Sequence, residues 1–227
     1  MKKHQLLTTA LVILSGFGMT SSALAQRPAM HLGSDWRAMS VADCTYKAMN
    51  FMERERFING TKTGNQAWGF NEKTIVLVYC TPQNNGVYIS VVAASHDSGE
   101  AERMRNRVRE YVFNEFRPTP ETPPAPDFFD EFDATPPRAR NYPAMHWGSD
   151  SRPRTFEACI SDAKSAMRIK DLQVTASSGS SVVWGSNADV IVLVQCIAVD
   201  NGVRILVAAA GQNAERYRND IREFVFK

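Results

Sequence analysis

The chain has 227 residues and a formal net charge of +2 at pH 7, so its composition does not favour nucleic-acid binding. Hydrophobic residues make up 44% of it, which is typical of a globular protein and argues against general disorder. The length suffices for one large domain or two small ones.

The first 25 residues have the pattern of a secretory signal peptide. Lys2 and Lys3 form the charged start, residues 6–17 the apolar region, and Ala23-Leu24-Ala25 the small-residue cleavage site. The apolar run is short and interrupted, which argues against a membrane span, although an uncleaved anchor is the alternative. We therefore expect a soluble, exported protein, periplasmic or secreted, without a further transmembrane segment.

The rest of the chain contains one pattern twice. The segment PAMHLGSD from Pro28 returns as PAMHWGSD from Pro143, and the agreement continues to the C-terminus. We therefore predict two α+β domains at residues 26–116 and 143–227, joined by a linker at 117–142. Features that both copies share indicate what the fold or a shared site requires.

Each copy predicts an α-β-β-β-α unit with a small antiparallel sheet. The first helix follows Ser40 or Thr155 as its N-cap and carries a cysteine on its apolar face. Three strands follow, at about 68, 74–80 and 87–94 in copy one and at about 184, 190–196 and 203–210 in copy two. An Asn-Gly pair before the third strand predicts a hairpin, and a second amphipathic helix closes the unit.

The second strand predicts a sheet that is covered on both faces. Side chains alternate along a strand, so Val76 and Val78 share a face with Cys80, while Leu77 and Tyr79 point the other way. Both sets are largely apolar, whereas a sheet with a solvated back alternates apolar and polar residues. We expect the two repeats to pack on each other as a pseudo-twofold pair of sheets; an outside partner is the alternative.

The cysteines predict one disulfide inside each copy. Export and an even count favour bonds between Cys44 and Cys80 and between Cys159 and Cys196. Each would close a loop of roughly 36 residues and contribute about 4 kcal/mol on a chain-entropy argument. A zinc site is the alternative, although no close Cys pair or adjacent His is present.

The Pro-rich linker contains an acidic-aromatic cluster with Phe128, Phe129 and Phe132. Either these rings pack against one copy and fasten the linker, or they form a segment that docks a partner.

The shared motif places His31 and His146 directly after a methionine. Such a pair is compatible with copper, but neighbours in an extended strand point to opposite sides, and one His with one Met is too few ligands. The structural interpretation is that the motif packs at the domain edge, with Gly33 turning the chain and Ser34 and Asp35 bonding to backbone. A catalytic histidine is the third interpretation, but no oriented nucleophile accompanies it. We predict no catalytic set, no metal and no cofactor.

The second helix of each copy carries arginines at matching positions. These are Arg103, Arg105 and Arg109 in copy one and Arg216, Arg218 and Arg222 in copy two. They interleave with glutamates, which is typical of a solvated helix face with ion pairs. The functional alternative is an anionic envelope ligand held by arginines from both copies.

These features predict an exported, non-enzymatic binding protein whose two linked modules engage a protein or an envelope component. Two alternatives stay open. One is a structural pseudo-dimer with its function in the linker, and the other is an enzyme with a site between the repeats. The sequence identifies no specific partner.

Overall fold

The computed structural model describes residues 27–114, 143–176 and 179–227. The predicted signal peptide and the linker cluster with Phe128, Phe129 and Phe132 lie outside these ranges.

Both copies have the element order β-α-β-β-β-β-α. Copy one comprises β1 (Ala29–Arg37), α1 (Val41–Arg54), β2 (Ile58–Thr63), β3 (Gln66–Phe70), β4 (Thr74–Gln83), β5 (Gly86–Ser95) and α2 (Ser98–Phe113). Copy two comprises β6 (Met145–Arg152), α3 (Phe156–Ile169), β7 (Gln173–Thr175), β8 (Val182–Ser186), β9 (Val190–Val199), β10 (Gly202–Gly211) and α4 (Ala214–Val225). The molecule is thus an α+β protein with two five-stranded antiparallel sheets, ordered β1-β5-β4-β3-β2 and β6-β10-β9-β8-β7.

The predicted α-β-β-β-α unit has the correct helices and central strands but lacks two strands per copy. The shared PAMH motif forms β1, which runs along β5 from Ala29 opposite Ser95 to Arg37 opposite Val87. Gly33 lies in the middle of this strand, opposite Val91, so the turn predicted there is wrong. Pairing with β5 outweighs the weak strand propensity of Gly, Ser and Asp, because strand propensity depends strongly on tertiary context. The other additional strands, β2 and β7, are short edge strands.

The hairpins predicted from the Asn-Gly pairs are present and have two-residue turns. Gln83 pairs with Gly86, which leaves a two-residue turn in which Asn85 has a φ of 62°. In copy two, Gly202 has a φ of 134°, and a Cβ there would lie 2.1 Å from the carbonyl oxygen of Arg152. The close approach of that backbone explains why glycine occupies this position.

The predicted caps and disulfides are confirmed. The Ser40 side chain accepts a hydrogen bond from the Asp43 N–H, and Thr155 does the same for Ala158. Disulfides join Cys44 to Cys80 and Cys159 to Cys196, so that each first helix is fastened to its sheet. All four sulfurs are bonded in pairs, and the zinc alternative for these cysteines is therefore wrong.

Each sheet packs its two helices on one face. In copy one this outer core contains Val76, Val78 and Cys80, as the strand alternation predicts, together with Met104 and Val108 of α2. The equivalent core of copy two contains residues of α3, α4, β9 and β10.

The opposite faces of the two sheets pack on each other. Their shared inner core includes Leu77 and Tyr79 from copy one and Leu193 and Leu206 from copy two. Polar bonds cross the same interface: the Ser90 hydroxyl donates to the Gln195 side-chain oxygen at 2.7 Å. The second face of each sheet is therefore covered by the other copy, as expected from its apolar character.

No helix in the described ranges is long and apolar enough to span a membrane.

Candidate functional site

The shared motif and the arginines of the last helix meet on the outer face of each sheet. Along β1, His31, Gly33, Asp35 and Arg37 lie opposite residues of the outer core, so they are on the face that carries α2. We call Asp35, Arg37, Arg105, Arg109 and Phe113 the first arginine cluster. The equivalent residues, Asp150, Arg152, Arg218, Arg222 and Phe226, form the second arginine cluster on β6 and α4.

Glycine in the middle of the edge strand makes room for the helix arginines. A Cβ at Gly33 would lie 2.1 Å from the Cδ of Arg109 and 2.8 Å from the Cδ of Arg105. At Gly148 the corresponding distance to the Cδ of Arg222 is 3.4 Å. The arginine side chains therefore lie across the strand at the position where it has no side chain of its own.

The arginine at the end of the motif binds the end of the helix. Arg37 Nε donates to the carbonyl of Phe113 at 3.0 Å, and its Nη1 pairs with Asp35 at 2.6 Å. In copy two, Arg152 Nε donates to the Phe226 carbonyl at 2.8 Å. The last carbonyls of a helix lack hydrogen-bond donors within the helix and carry partial negative charge. The guanidinium group supplies both the donor and the opposite charge.

Two guanidinium groups lie against one phenylalanine ring in each cluster. In copy one, the guanidinium carbons of Arg37 and Arg109 lie 5.0 and 5.2 Å from the centre of the Phe113 ring. In copy two, those of Arg152 and Arg222 lie 5.2 and 5.1 Å from the centre of its equivalent. These distances are within the range of favourable cation–π contacts, which restrict the position of each arginine.

The six predicted arginines have three different environments. Arg103 and Arg216 have side chains that are 63% and 80% exposed, and they pair with Glu100 and Asp220 on their own helices. The solvated-face interpretation describes these two. Arg105 is only 16% exposed; it pairs with Glu102 and donates to the backbone carbonyl of Leu32 at 3.4 Å. Its equivalent, Arg218, pairs with Glu215 at 4.0 Å.

Arg109 and Arg222 differ from the other four. They are half-buried, and in the described part of the chain no residue forms an ion pair with them or accepts a hydrogen bond from them. Their Nε atoms are buried without a partner, as are those of Arg105 and Arg218, so the absence of an ion pair is what distinguishes Arg109 and Arg222. Each of these two arginines thus packs its guanidinium against a phenylalanine ring and its stem over a glycine, and it has no carboxylate ion-pair partner in the described chain.

Burial and neighbouring charges shift the pKa values of Asp35 and His31. Burial alone would raise the pKa of Asp35, but the N–H of Trp36, the bonded Arg37 and the charge of Arg109 together lower it. Burial lowers the pKa of His31; the Glu102 carboxylate opposes this shift and Arg105 adds to it. Asp35 is therefore a stable anion near neutral pH, and His31 is biased towards its neutral form.

The histidines do not form metal sites with the methionines that precede them. His31 lies on the outer face, where its Nε2 is 3.1 Å from the Ser98 hydroxyl, whereas Met30 belongs to the inner core. His146 and Met145 are divided between the two faces in the same way. Within the described ranges, no group of three His, Cys, Asp or Glu side chains is placed to hold a metal ion.

The two arginine clusters lie on opposite sides of the molecule. Each is on the outer face of its own sheet, and the inner core lies between the sheets. An anionic envelope ligand held by arginines from both copies, the hypothesis drawn from the sequence, would therefore have to reach both sides of the molecule.

A pocket of about 330 Å³ lies between the hairpins of the two copies. It is a candidate location for the alternative interpretation, an enzyme site between the repeats. Its lining contains Gln83, Asn84 and Asp200. Asp200 accepts a hydrogen bond from Asn84 at 2.8 Å, and no second titratable side chain lines this pocket. It therefore offers no acid–base pair.

Sequence reasoning did not identify Arg37 and Arg152 as members of a site. The signal was present, because the motif continues as GSDWR in copy one and GSDSR in copy two. The arginine follows the aspartate by two residues in both, and alternation along a strand places the two side chains on one face.

We expect Arg37→Ala to lower the free energy of unfolding by about 1.5–3 kcal/mol, since it removes charge-assisted hydrogen bonds to the end of α2 and to Asp35. Arg152→Ala should have a similar effect. Urea unfolding followed by circular dichroism measures both.

Arg103→Ala is the matched control, because its surface ion pair should change stability by less than about 0.5 kcal/mol. Equal stability of the Arg37 and Arg103 variants would show that the bond to the helix end does not stabilise the fold.

Comparison with known proteins gives no family. No protein-family model matches the chain. No curated protein matches it either.

Several solved structures have a distant likeness to the fold. The di-domain ARO/CYC StfQ from the steffimycin biosynthetic pathway is 6% identical with a TM-score of 0.24, over 80% of this chain and 84% of that chain. The di-domain ARO/CYC BexL from the BE-7585A biosynthetic pathway is 8% identical with a TM-score of 0.22, over 87% and 92%. The immunity protein TplEi of the T6SS from Pseudomonas aeruginosa is 9% identical with a TM-score of 0.20, over 86% and 89%. At TM-scores this low, these likenesses carry no argument about substrate or partner.

Proposed function

We propose that this chain is an exported, non-enzymatic binding protein of the bacterial periplasm or cell envelope. Its two linked modules engage a protein or an envelope component. The observation that carries the proposal is the repetition of one arginine cluster, with equivalent residues and the same ring contacts, on both outer faces of the double sheet.

The arrangement supports bivalent engagement. The inner core and the polar bonds across it hold the two modules in one orientation, so both clusters are presented at a fixed geometry. Because the clusters face opposite ways, the partner must reach both outer faces. For such a partner the second module binds at a high effective concentration, which strengthens binding without any new contact.

Export is supported by two disulfides and by the leader-like first 25 residues. Structural disulfides are typical of proteins that fold in oxidising compartments. The periplasm and the cell surface are such compartments.

Cell fractionation and co-sedimentation with purified bacterial envelopes test the proposal. We expect the chain in the periplasmic or secreted fraction, and we expect saturable binding of the purified protein to envelopes. Arg109→Gln or Arg222→Gln alone should weaken binding by about 10²-fold through the loss of bivalency, and the double variant should abolish it.

Recovery only from the cytoplasm, or no saturable binding, would contradict the proposal. The alternative of a structural pseudo-dimer with its function in the linker is tested with a variant in which Phe128, Phe129 and Phe132 are changed to Ala. Loss of binding in this variant, with full binding in the arginine variants, would assign the function to the linker.

A further inference from the structure

The feature that points to a ligand is the contrast between Arg109 and its neighbours on α2. Arg105 and Arg103 each pair with a glutamate of their own helix. Arg109 has no such partner in the described chain, although Asp35 is close enough to interact with its charge. The same contrast recurs at Arg222, so the arrangement survived in two diverged copies.

The position of these two cations is fixed before any ligand arrives. The stem of Arg109 lies over Gly33, and its guanidinium carbon is 5.2 Å from the centre of the Phe113 ring. Because the Nε atom is buried while the residue is half-buried, we infer that the terminal amino groups are the part that meets solvent. A planar fork held in this way loses little conformational freedom when it binds.

The local charge balance defines the ligand. Three guanidinium groups, those of Arg37, Arg105 and Arg109, face the two carboxylates of Asp35 and Glu102. In copy two, Arg152, Arg218 and Arg222 face Asp150 and Glu215 in the same way. Each cluster, counted together with its neighbouring glutamate, therefore has an excess of one positive charge, which matches a singly charged anion.

We propose that Arg109 and Arg222 each bind one carboxylate group of a ligand, through the paired N–H donors of the guanidinium fork. Carboxylate geometry matches this fork, and such charge-assisted pairs are stronger than neutral hydrogen bonds. The inference rests on the proposed binding function, because it names the chemistry by which each module engages its ligand. Arg37 and Arg105 contribute charge but are occupied by partners of the fold.

NMR of the arginine Nε–Hε groups in the purified, oxidised chain tests the proposal directly. Acetate is the probe, and phosphate and chloride at equal ionic strength are the comparisons. We expect acetate to shift two buried Arg resonances saturably. Arg109→Gln and Arg222→Gln each remove one of these resonances with its donor, so binding in the variants is read on the Nε–Hε groups of the neighbouring Arg37 and Arg152, where it should weaken about tenfold or more.

Arg109→Lys keeps the stem and the charge but removes the fork, so the acetate-induced shift read on Arg37 should also be lost while the fold is retained. Arg103→Gln and Arg216→Gln, which change exposed ion-paired residues, should leave both shifts in place. Equal shifts with chloride, tighter binding of phosphate than of acetate, or an unchanged response in the Arg109 variants would each overturn the inference.

The outcome is separable from that of the proposed function. Envelope binding that persists without any acetate response would overturn the carboxylate inference alone. An acetate response without envelope binding would support the two carboxylate sites and contradict the proposed function.

Discussion

Leu77→Asp is expected to unfold both copies of the protein together. Leu77 is fully buried in the inner core, where it packs among apolar residues of both sheets. An unpaired carboxylate in such a place costs several kcal/mol or forces the group to take up a proton, against a total stability of about 5–15 kcal/mol for a typical domain. Because the same core covers copy two, we expect loss of its structure as well. Circular dichroism and urea unfolding measure the effect.

Two further variants test the reason for this effect: one removes the charge, and one moves it to the other copy. Leu77→Met keeps the apolar volume and should cost less than about 1.5 kcal/mol. Leu193→Asp changes the equivalent strand position of copy two and should be as damaging as Leu77→Asp. Copy two retaining its native NMR spectrum in the Leu77→Asp variant would show that the copies fold independently.

Alternation along one strand was sufficient to predict the inner core. The residues of β4 on the face away from the helices are apolar, so a cover for that face was required. The sequence favoured the other copy as this cover and left an outside partner as the alternative. The answer depends on polar pairs that join residues far apart in the chain, such as Ser90 with Gln195 and Asn84 with Asp200. No local pattern encodes these pairs.

The edge strand shows why the rest of the fold was harder to predict. Its Gly-Ser-Asp segment has the composition of a turn, and the local preference was outweighed by pairing with β5 and by the arginines that lie over it. Glycine is needed at position 33 because a side chain there would clash with the arginines of α2. This requirement is evident only from the position of the helix. The repeated motif indicated that the segment matters, but not that it is a strand.

The candidate site was predicted in its components and not in its arrangement. Spacing along the helices identified the six arginines, but it could not separate Arg109 and Arg222, which lack partners, from those that are ion-paired. It also suggested that arginines of both copies act on one ligand. The back-to-back packing of the sheets places the two sets apart, because the face that carries each last helix is the face away from the other copy.

Removing one disulfide is expected to destabilise the whole molecule by about 4 kcal/mol. The bonded cysteines are separated by 36 positions in copy one and 37 in copy two. Opening such a loop raises the conformational entropy of the unfolded chain, which lowers the free energy of unfolding by about 4 kcal/mol. The variants Cys44→Ala/Cys80→Ala and Cys159→Ala/Cys196→Ala should lose similar stability in urea unfolding. Cys44→Ala alone breaks the same bond, so the second substitution should add little to its effect.

The number of unfolding transitions in these variants tests how strongly the two copies depend on each other. Since the sheets share one core, we expect either double variant to shift a single transition of the entire chain. In this case copy two loses stability when the bond is removed from copy one, although none of its own contacts has changed. Two separate transitions, with only the altered copy shifted, would contradict cooperative folding. The clusters would then lie on modules that move independently, and the fixed bivalent geometry proposed above would lose its structural basis.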